Sequence, residues 1–188
     1  MATTVAVRER EDGDLSTCAS LLLAVHEADG YPLHLPGDPV SFLSVPDALG
    51  AWVAVVADAP VGEAPVGEAL VGEALVGHVL LRPAANPKMM VMASDATGLP
   101  EQRLAVVGRL FVTPSARRRG VGRALLARAA RHAWALGRQP VLDVVAKDLH
   151  AIALYEREGW RKAGSVRVTF HGTTIDELVF VGPAGRSA

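Results

Sequence analysis

Residues 104–126 read LAVVGRLFVTPSARRRGVGRALL, and within them an apolar strand pattern changes to a basic turn and then to an amphipathic helix. The turn holds the pattern Arg117-x-x-Gly120-x-Gly122, at the point where the helix is predicted to begin. The first N–H groups of a helix have no intrahelical acceptor, and the helix dipole adds partial positive charge there. Glycines let a bulky anion approach the main chain, and arginines add charge and forked donors. These residues therefore predict a turn that binds a pyrophosphate.

The elements on either side of the turn are defined by their patterns. The run Leu104–Val112 predicts a central strand, with Gly108 at an interior position where glycine often marks a bulge. A helix is predicted over 120–136, because Gly137 is typical of a residue just past a helix end and Pro140 follows it. The apolar face of this helix consists of Val121, Leu125, Ala129, Ala133 and Leu136.

Two stretches of the chain match signatures of one family. RLFVTPSARRRGVGRALL resembles the acyl-CoA-binding signature of the GNAT N-acetyltransferases, which is Arg or Gln-x-x-Gly-x-Gly or Ala. DLHAIALYEREGW is similar to a second signature, Asn-x-x-Ala-Ile-x-Leu-Tyr-x-x-x-Gly-Phe, with Asp148 in place of Asn and Trp160 in place of Phe. The positions that match the second signature are Ala151, Ile152, Leu154, Tyr155 and Gly159.

The basic turn has an alternative interpretation, which is a solvated loop that caps an ordinary helix.

The resemblance implies a fold and a co-substrate. The fold would be a single α/β domain over residues 1–188, with a central mixed, mostly antiparallel sheet of about six to seven strands flanked by helices. The co-substrate would be acetyl-CoA, and no metal is expected. In this family a bulge separates the central strand from the next strand and opens the pantetheine cleft. The residues implied to contact acetyl-CoA are Leu110, Phe111, Val112, Arg117, Arg118, Arg119, Gly120, Val121, Gly122 and Asp148. For Asp148 the alternative role is to cap its helix.

Acetyl transfer from a thioester to an amine needs a neutral amine, donors for the carbonyl oxygen and a proton for the leaving thiolate. Tyr155 matches the family tyrosine, and a phenol with a pKa of about 10 can donate a proton to sulfur at neutral pH. The alternative role of Tyr155 is packing in the core. Oxyanion donors would be backbone N–H groups near Leu110–Val112. Many family members carry a glutamate on the central strand, where this chain has Val106. The base therefore stays open among His78, Glu101, His150, Glu177 and a chain of waters.

The acceptor is less well defined than the co-substrate. In the family the segment after the first helix lines the acceptor site, so Tyr31, His34 and Asp38 are candidate contacts, or else residues of an ordinary surface loop. The predicted activity is direct transfer of an acetyl group from acetyl-CoA to a primary amine of a small molecule or peptide. Two alternatives remain. One is a non-catalytic acyl-CoA-binding regulatory module, and the other is an anion- or nucleic-acid-binding domain that uses the arginines at 117–119.

Composition limits the class of protein. The chain has 188 residues, 50% of them hydrophobic, and a net charge of −1, which argues against a nucleic-acid or membrane surface. Cys18 is the one cysteine, which fits a reducing compartment, and its apolar neighbours predict a core residue. The start, MATTVAVRERED, lacks the apolar part of a signal peptide, and no apolar run reaches the roughly 20 residues that span a bilayer. These features predict a soluble cytoplasmic protein that is a monomer or a homodimer.

Periodicity and breakers predict the remaining elements. Helices are predicted near 15–28, 40–43 and 148–157, whereas 83–100 is predicted to be a loop because proline and glycine interrupt it. Strands are predicted at 4–8, 51–57, 76–82, 141–146, 166–170 and 175–181.

A five-residue repeat separates two of these strands. The copies VGEAP, VGEAL, VGEAL and VGH begin at Val61, Val66, Val71 and Val76. A period of five matches neither the strand period of about 2 nor the helix period of about 3.6. Residues 61–75 are therefore predicted to be an insertion in a strand–strand loop, without chemistry of its own.

Overall fold

The computed structural model describes residues 5–60, 71–170 and 172–185. The strands are β1 (Val5–Glu9), β2 (Gly50–Pro60), β3 (Val71–Arg82), β4 (Leu104–Val112), β5 (Gln139–Val145), β6 (Arg161–Phe170) and β7 (Thr173–Val181). The helices are α1 (Leu15–Asp29), α2 (Pro39–Leu43), α3 (Pro87–Thr97), α4 (Val121–Ala135) and α5 (Leu149–Arg157). Within these ranges no helix is long and apolar enough to cross a membrane.

The seven strands belong to one sheet with the order β1-β2-β3-β4-β5-β7-β6. β1 pairs antiparallel with β2, and β7 pairs antiparallel with both β5 and β6. β4 and β5 are parallel, and such a pair needs a long crossover connection, which contains α4. The mixed seven-stranded sheet flanked by helices confirms the predicted fold class.

The chain consists of two compact units, and the first contains Met1–Pro46, Ala51–Leu80 and Arg109–Arg128. Its core joins α1 and α2 to β2 and β4 through buried Cys18, Leu22, Leu43, Val53, Val55 and Phe111. Cys18 is therefore a core residue, as predicted, and burial raises the pKa of its thiol to about 11.

The second unit contains Asp47–Gly50, Leu81–Gly108 and Ala129–Ala188. Here α3 corrects the loop predicted over 83–100. Pro87 occupies the first turn of the helix, the Asn86 side chain accepts a hydrogen bond from the Lys88 N–H at 2.9 Å, and left-handed Gly98 ends the helix. The proline and the glycine that were interpreted as breakers are thus its first turn and its end. The buried face of α3, formed by Met89, Met90 and Ala93, packs on Val106, Val141, Val166, Val179 and Val181.

The helix after the basic turn agrees with its prediction except at its end. Val121, Leu125, Ala129 and Ala133 are buried, as predicted. Leu136 was assigned to the same face but is 46% exposed, because the helix ends at Ala135. The next glycine, Gly137, is left-handed and turns the chain away.

The repeat is only partly described by the structure. Residues 61–70 lie outside the described residues, but the third copy, 71–75, belongs to β3 and not to a connecting loop. Leu75 of this copy is partly buried against the core of the first unit. In the last copy a Cβ at Gly77 would lie 2.9 Å from the Phe111 carbonyl oxygen and 3.0 Å from Leu125 Cδ1. The end of the repeat is therefore part of the packed structure.

Candidate functional site

The basic turn lies between β4 and α4 and has the backbone of an anion-binding loop. Arg118 (φ 60°) and Gly120 (φ 79°) are both left-handed. The first bond of the helix ladder joins the Ala124 N–H to the Gly120 carbonyl at 2.9 Å, so α4 begins directly after left-handed Gly120. A Cβ at Gly120 would meet no described atom within 4 Å. The turn thus places a helix N terminus beside open space at Gly120, an arrangement that suits an anion.

Arg117, predicted to contact the cofactor, is held by the protein itself. Its Nη1 donates to Asp29 Oδ1 at 2.9 Å, its Nη2 donates to the other carboxylate oxygen, and its Nε donates to the Val112 carbonyl at 3.2 Å. Arg118 and Arg119 are exposed. The structure therefore separates the three arginines into one that anchors the turn and two that project from it.

β4 is continuous over Leu104–Val112 but contains one left-handed residue. The predicted irregularity at Gly108 lies one residue later, at Arg109, whose φ of 52° is left-handed. Parallel pairing with β5 covers the first three residues of the strand, from Leu104 opposite Gln139 to Val106 opposite Val141. The oxyanion candidates, Leu110–Val112, directly follow the left-handed residue.

His78, a candidate base, is fully buried and neutral. Its ring stacks on Phe111 with 5.4 Å between centroids, its Nδ1–H donates to the Arg109 carbonyl at 3.0 Å, and its Nε2 accepts from Arg10 Nη1 at 3.1 Å. Burial lowers the pKa of His78 to about 4. Since Arg10 occupies the ring lone pair, the geometry argues against His78 as the base.

Tyr155 lies on α5 in an aromatic cluster. It is 7% exposed, and its ring centroid is 6.1 Å from that of Trp160 and 5.9 Å from that of Phe180. Asp148 caps the same helix, because its Oδ1 accepts a hydrogen bond from the Ala151 N–H at 3.0 Å. The contacts with Trp160 and Phe180 hold the ring of Tyr155 in place, so Tyr155 contributes to packing.

The other predicted residues have local surroundings of their own. Asp38 caps α2, since its Oδ1 accepts hydrogen bonds from the N–H groups of Val40 at 2.9 Å and Ser41 at 3.2 Å. Tyr31 lies near Phe111, with 6.5 Å between ring centroids. His34 is half-buried, whereas Glu101 and His150 are exposed. Among the residues that the structure describes, no group of three or more His, Cys, Asp or Glu is placed to hold a metal ion.

A carboxylate pair, Asp143 and Glu177, lies on β5 and β7. Asp143 is opposite Val179 and Val145 is opposite Glu177, so the two carboxylates are diagonal neighbours on one face of the sheet. Burial raises the pKa of Glu177 to about 7; the charge of Asp143 acts in the same direction and Arg82 opposes it. Burial also raises the pKa of Asp143. The sequence makes Glu177 a candidate base but not Asp143, although Asp143 is a lone charge in the apolar strand VLDVVA.

Comparison with known proteins agrees with this architecture. The sequence model described as the acetyltransferase (GNAT) family matches residues 34–160. No curated protein matches the chain. Arabidopsis thaliana NAA60, crystallised with acetyl-CoA, is 21% identical, with a TM-score of 0.67 over 95% of this chain and 97% of that one. A GCN5-related N-acetyltransferase from Kribbella flavida is 20% identical, with a TM-score of 0.64 over 96% and 98%. Ribosomal-protein-alanine N-acetyltransferase from Brucella melitensis is 17% identical, with a TM-score of 0.61 over 94% and 98%. At these identities the likenesses establish a shared fold.

Proposed function

Because the chain belongs to the acetyltransferase (GNAT) family, we propose that it transfers an acetyl group from acetyl-CoA directly to a primary amine of a small molecule or peptide. The observation that carries this proposal is the turn before α4, where Arg118 and Gly120 are left-handed and the space beside Gly120 is open. A pyrophosphate suits this turn, since main-chain N–H groups and the helix dipole act on the same oxygens. Exposed Arg118 and Arg119 add positive charge.

Separate residues are proposed for the charge that develops during transfer. Backbone N–H groups of Leu110–Val112 would donate to the carbonyl oxygen of the thioester as it becomes negative. The Tyr155 hydroxyl would protonate the leaving thiolate. Its ring is held by Trp160 and Phe180, so a fixed hydroxyl position is available without further ordering.

The acceptor is proposed to approach the segment after α1. Tyr31 and His34 are retained as candidate contacts because both are half-buried rather than fully exposed. Asp38 is proposed to hold the segment in place, since its carboxylate already caps α2.

Calorimetry with acetyl-CoA and a thiol-release assay with a panel of small amines and peptides test the proposed function. We expect acetyl-CoA to bind and thiol to be released only when a suitable amine is present. Binding without thiol release would favour a non-catalytic acyl-CoA-binding module. This alternative is considered because Val106 stands where many family members have a glutamate. Salt-dependent nucleic-acid binding in the absence of acetyl-CoA binding would favour the anion-binding domain.

A further inference from the structure

The carboxylate pair lies on the sheet face that carries the core of the second unit. Glu177 alternates with Val179 and Val181 along β7, and both valines pack with Met89 and Met90 of α3. The two carboxyl groups therefore border an apolar layer, which is the physical reason that burial raises the pKa of each.

An open position on β4 lies on the same face of the sheet. Val106 is opposite Val141, and two residues further along these strands come Gly108 and Asp143, on the same face. A Cβ at Gly108 would meet no described atom within 4 Å. The position of Gly108 on this face is therefore unfilled, and a larger residue there would occupy the space.

Arg82 adds a donor to this region. Its charge lowers the pKa of both carboxyl groups, so it lies near both, yet no salt bridge joins it to either within the described part of the chain. Its Nε is buried and donates to none of the described residues. Leaving a buried N–H without an acceptor is costly, so this atom points to a ligand that brings an oxygen.

We propose that Arg82, Gly108, Asp143 and Glu177 form a recess for an acceptor with an α-amino group, and that Glu177 takes the proton from its nitrogen. The inference rests on the proposed acetyl transfer. The carboxylates attract the ammonium form, and Arg82 Nε would donate to the carbonyl oxygen next to the α-carbon. One ammonium proton moves to Glu177, the nitrogen lone pair bonds to the acetyl carbon, and the C–S bond breaks with its electron pair on sulfur. The nitrogen loses a second proton as the amide forms, and this loss balances the proton that Tyr155 gives to the thiolate, so coenzyme A leaves as the thiol.

The proton balance favours an α-amino group over a lysine side chain. Ordinary pKa values are about 8 for an α-amino group and about 10.4 for lysine. Glu177 has a pKa of about 7. Proton transfer to it is therefore unfavourable by a factor of about 10 from an α-amino group and by a factor of about 10³ from lysine. The difference of about 10² between the two acceptors comes from the amines and is the same for any base. The raised pKa of Glu177 brings the α-amino transfer to within a factor of about 10.

The charges around Glu177 make its ionisation testable. The charges of Asp143 on β5 and Arg82 on β3 act on its pKa, whereas the opposite position on β6 is apolar Val166. On α3, Lys88 Nζ donates to a main-chain carbonyl of β6 at 3.1 Å. Because the Asp143 charge raises the pKa of Glu177, its removal should lower that pKa.

Steady-state kinetics of the full chain test the assignment, with peptides that carry a free N terminus and with the same peptides N-acetylated and carrying one lysine. D176N is the matched control, since Asp176 alternates to the opposite face and pairs with Arg167 at the surface at 2.8 Å. We expect E177Q to lose about 10²-fold or more in kcat while its calorimetric affinity for acetyl-CoA is unchanged. D176N should behave as the wild type, and D143N should move the acidic limb of kcat to lower pH.

Each of the other outcomes overturns a specific part of the proposal. E177Q with a normal kcat, or an acidic limb that D143N leaves in place, removes Glu177 as the base, and faster acetylation of the lysine peptides overturns the acceptor class. In both cases wild-type thiol release would leave the proposed function intact. A wild-type chain that releases thiol with no amine would instead overturn the proposed function, and this inference with it.

Discussion

Asp29, the last residue of α1, binds the guanidinium of Arg117, the first arginine of the basic turn. Two hydrogen bonds join them, one of 2.9 Å, and a third bond ties Arg117 Nε to the Val112 carbonyl. Arg117 therefore connects the turn to α1 and β4, and its fork can meet a phosphate only by leaving Asp29.

Asp29→Asn should tighten acetyl-CoA binding about two- to fivefold at low salt, because a negative charge near an anionic ligand is removed and Arg117 is released. The gain should disappear at high salt through screening. Stability should change by less than about 1 kcal/mol, since both side chains of the pair are more than a third exposed. Calorimetry at two salt concentrations measures the effect, and weaker binding at low salt would mean that Asp29 holds Arg117 in its productive position.

Gly120→Glu should weaken acetyl-CoA binding at least tenfold, about 1.4 kcal/mol, because a carboxylate would fill the open space where the anion is proposed to lie. Gly137→Glu is a matched control, since Gly137 is also left-handed (φ 66°) with open space around it, but follows the other end of α4. Both variants carry the same strain and charge. Equal calorimetric affinities in the two folded variants would remove the turn from the cofactor site.

Tyr155→Phe should lower kcat about 10²-fold if the hydroxyl protonates the thiolate, with little change in acetyl-CoA affinity. The ring contacts with Trp160 and Phe180 are kept in this variant, so its melting temperature should stay close to that of the wild type. Tyr155→Ala, in contrast, should lose about 3–5 kcal/mol of stability through the cavity it leaves. Normal turnover by the Phe variant would reduce Tyr155 to a packing residue.

Glu177 should make stability depend on pH with a defined sign. Its folded pKa of about 7 lies above the ordinary value of 4.5. The folded state therefore keeps a proton that the unfolded chain releases, and stability falls as pH rises through this window. E177Q should exceed the wild type by about 1–3 kcal/mol at pH 8, allowing for partial solvent screening, and equal it at pH 4. Urea unfolding at both pH values measures the difference, and no gain at pH 8 would contradict the raised pKa.

Two deletions test whether residues 61–70 are a passive connection between two strands. If residues 61–70 only connect two strands, their removal should change the free energy of unfolding by about 1 kcal/mol or less, because loop length enters closure entropy logarithmically. Removing 61–75 also takes the first five residues of β3, with partly buried Leu75, and should cost clearly more. Urea unfolding compares the two. A change of molar mass in light scattering on deleting 61–70 would show instead that the repeat contacts a second subunit.

Local patterning by itself determined the elements that lie close together along the chain. The strand Leu104–Val112, the glycines of the turn and the apolar face of α4 follow from residues within a few positions of one another, and their bounds in the structure agree almost residue for residue. α3 was missed because Pro87 and Gly98 are ambiguous signals. Proline and glycine break a helix when they lie inside it, but they also begin or end one when they lie at its termini. The packing of the buried methionines between them selects the second arrangement here.

Tertiary structure alone decided how distant charges meet. Asp29 reaches Arg117 across 88 positions, and Asp143 meets Glu177 because β7 is inserted beside β5 in the sheet order. Neither pairing has a local signal, since strand order and register depend on the packing of the whole sheet. Ionisation follows the same rule: a glutamate in a sequence has an ordinary pKa, and burial beside another carboxylate moves that of Glu177 to about 7.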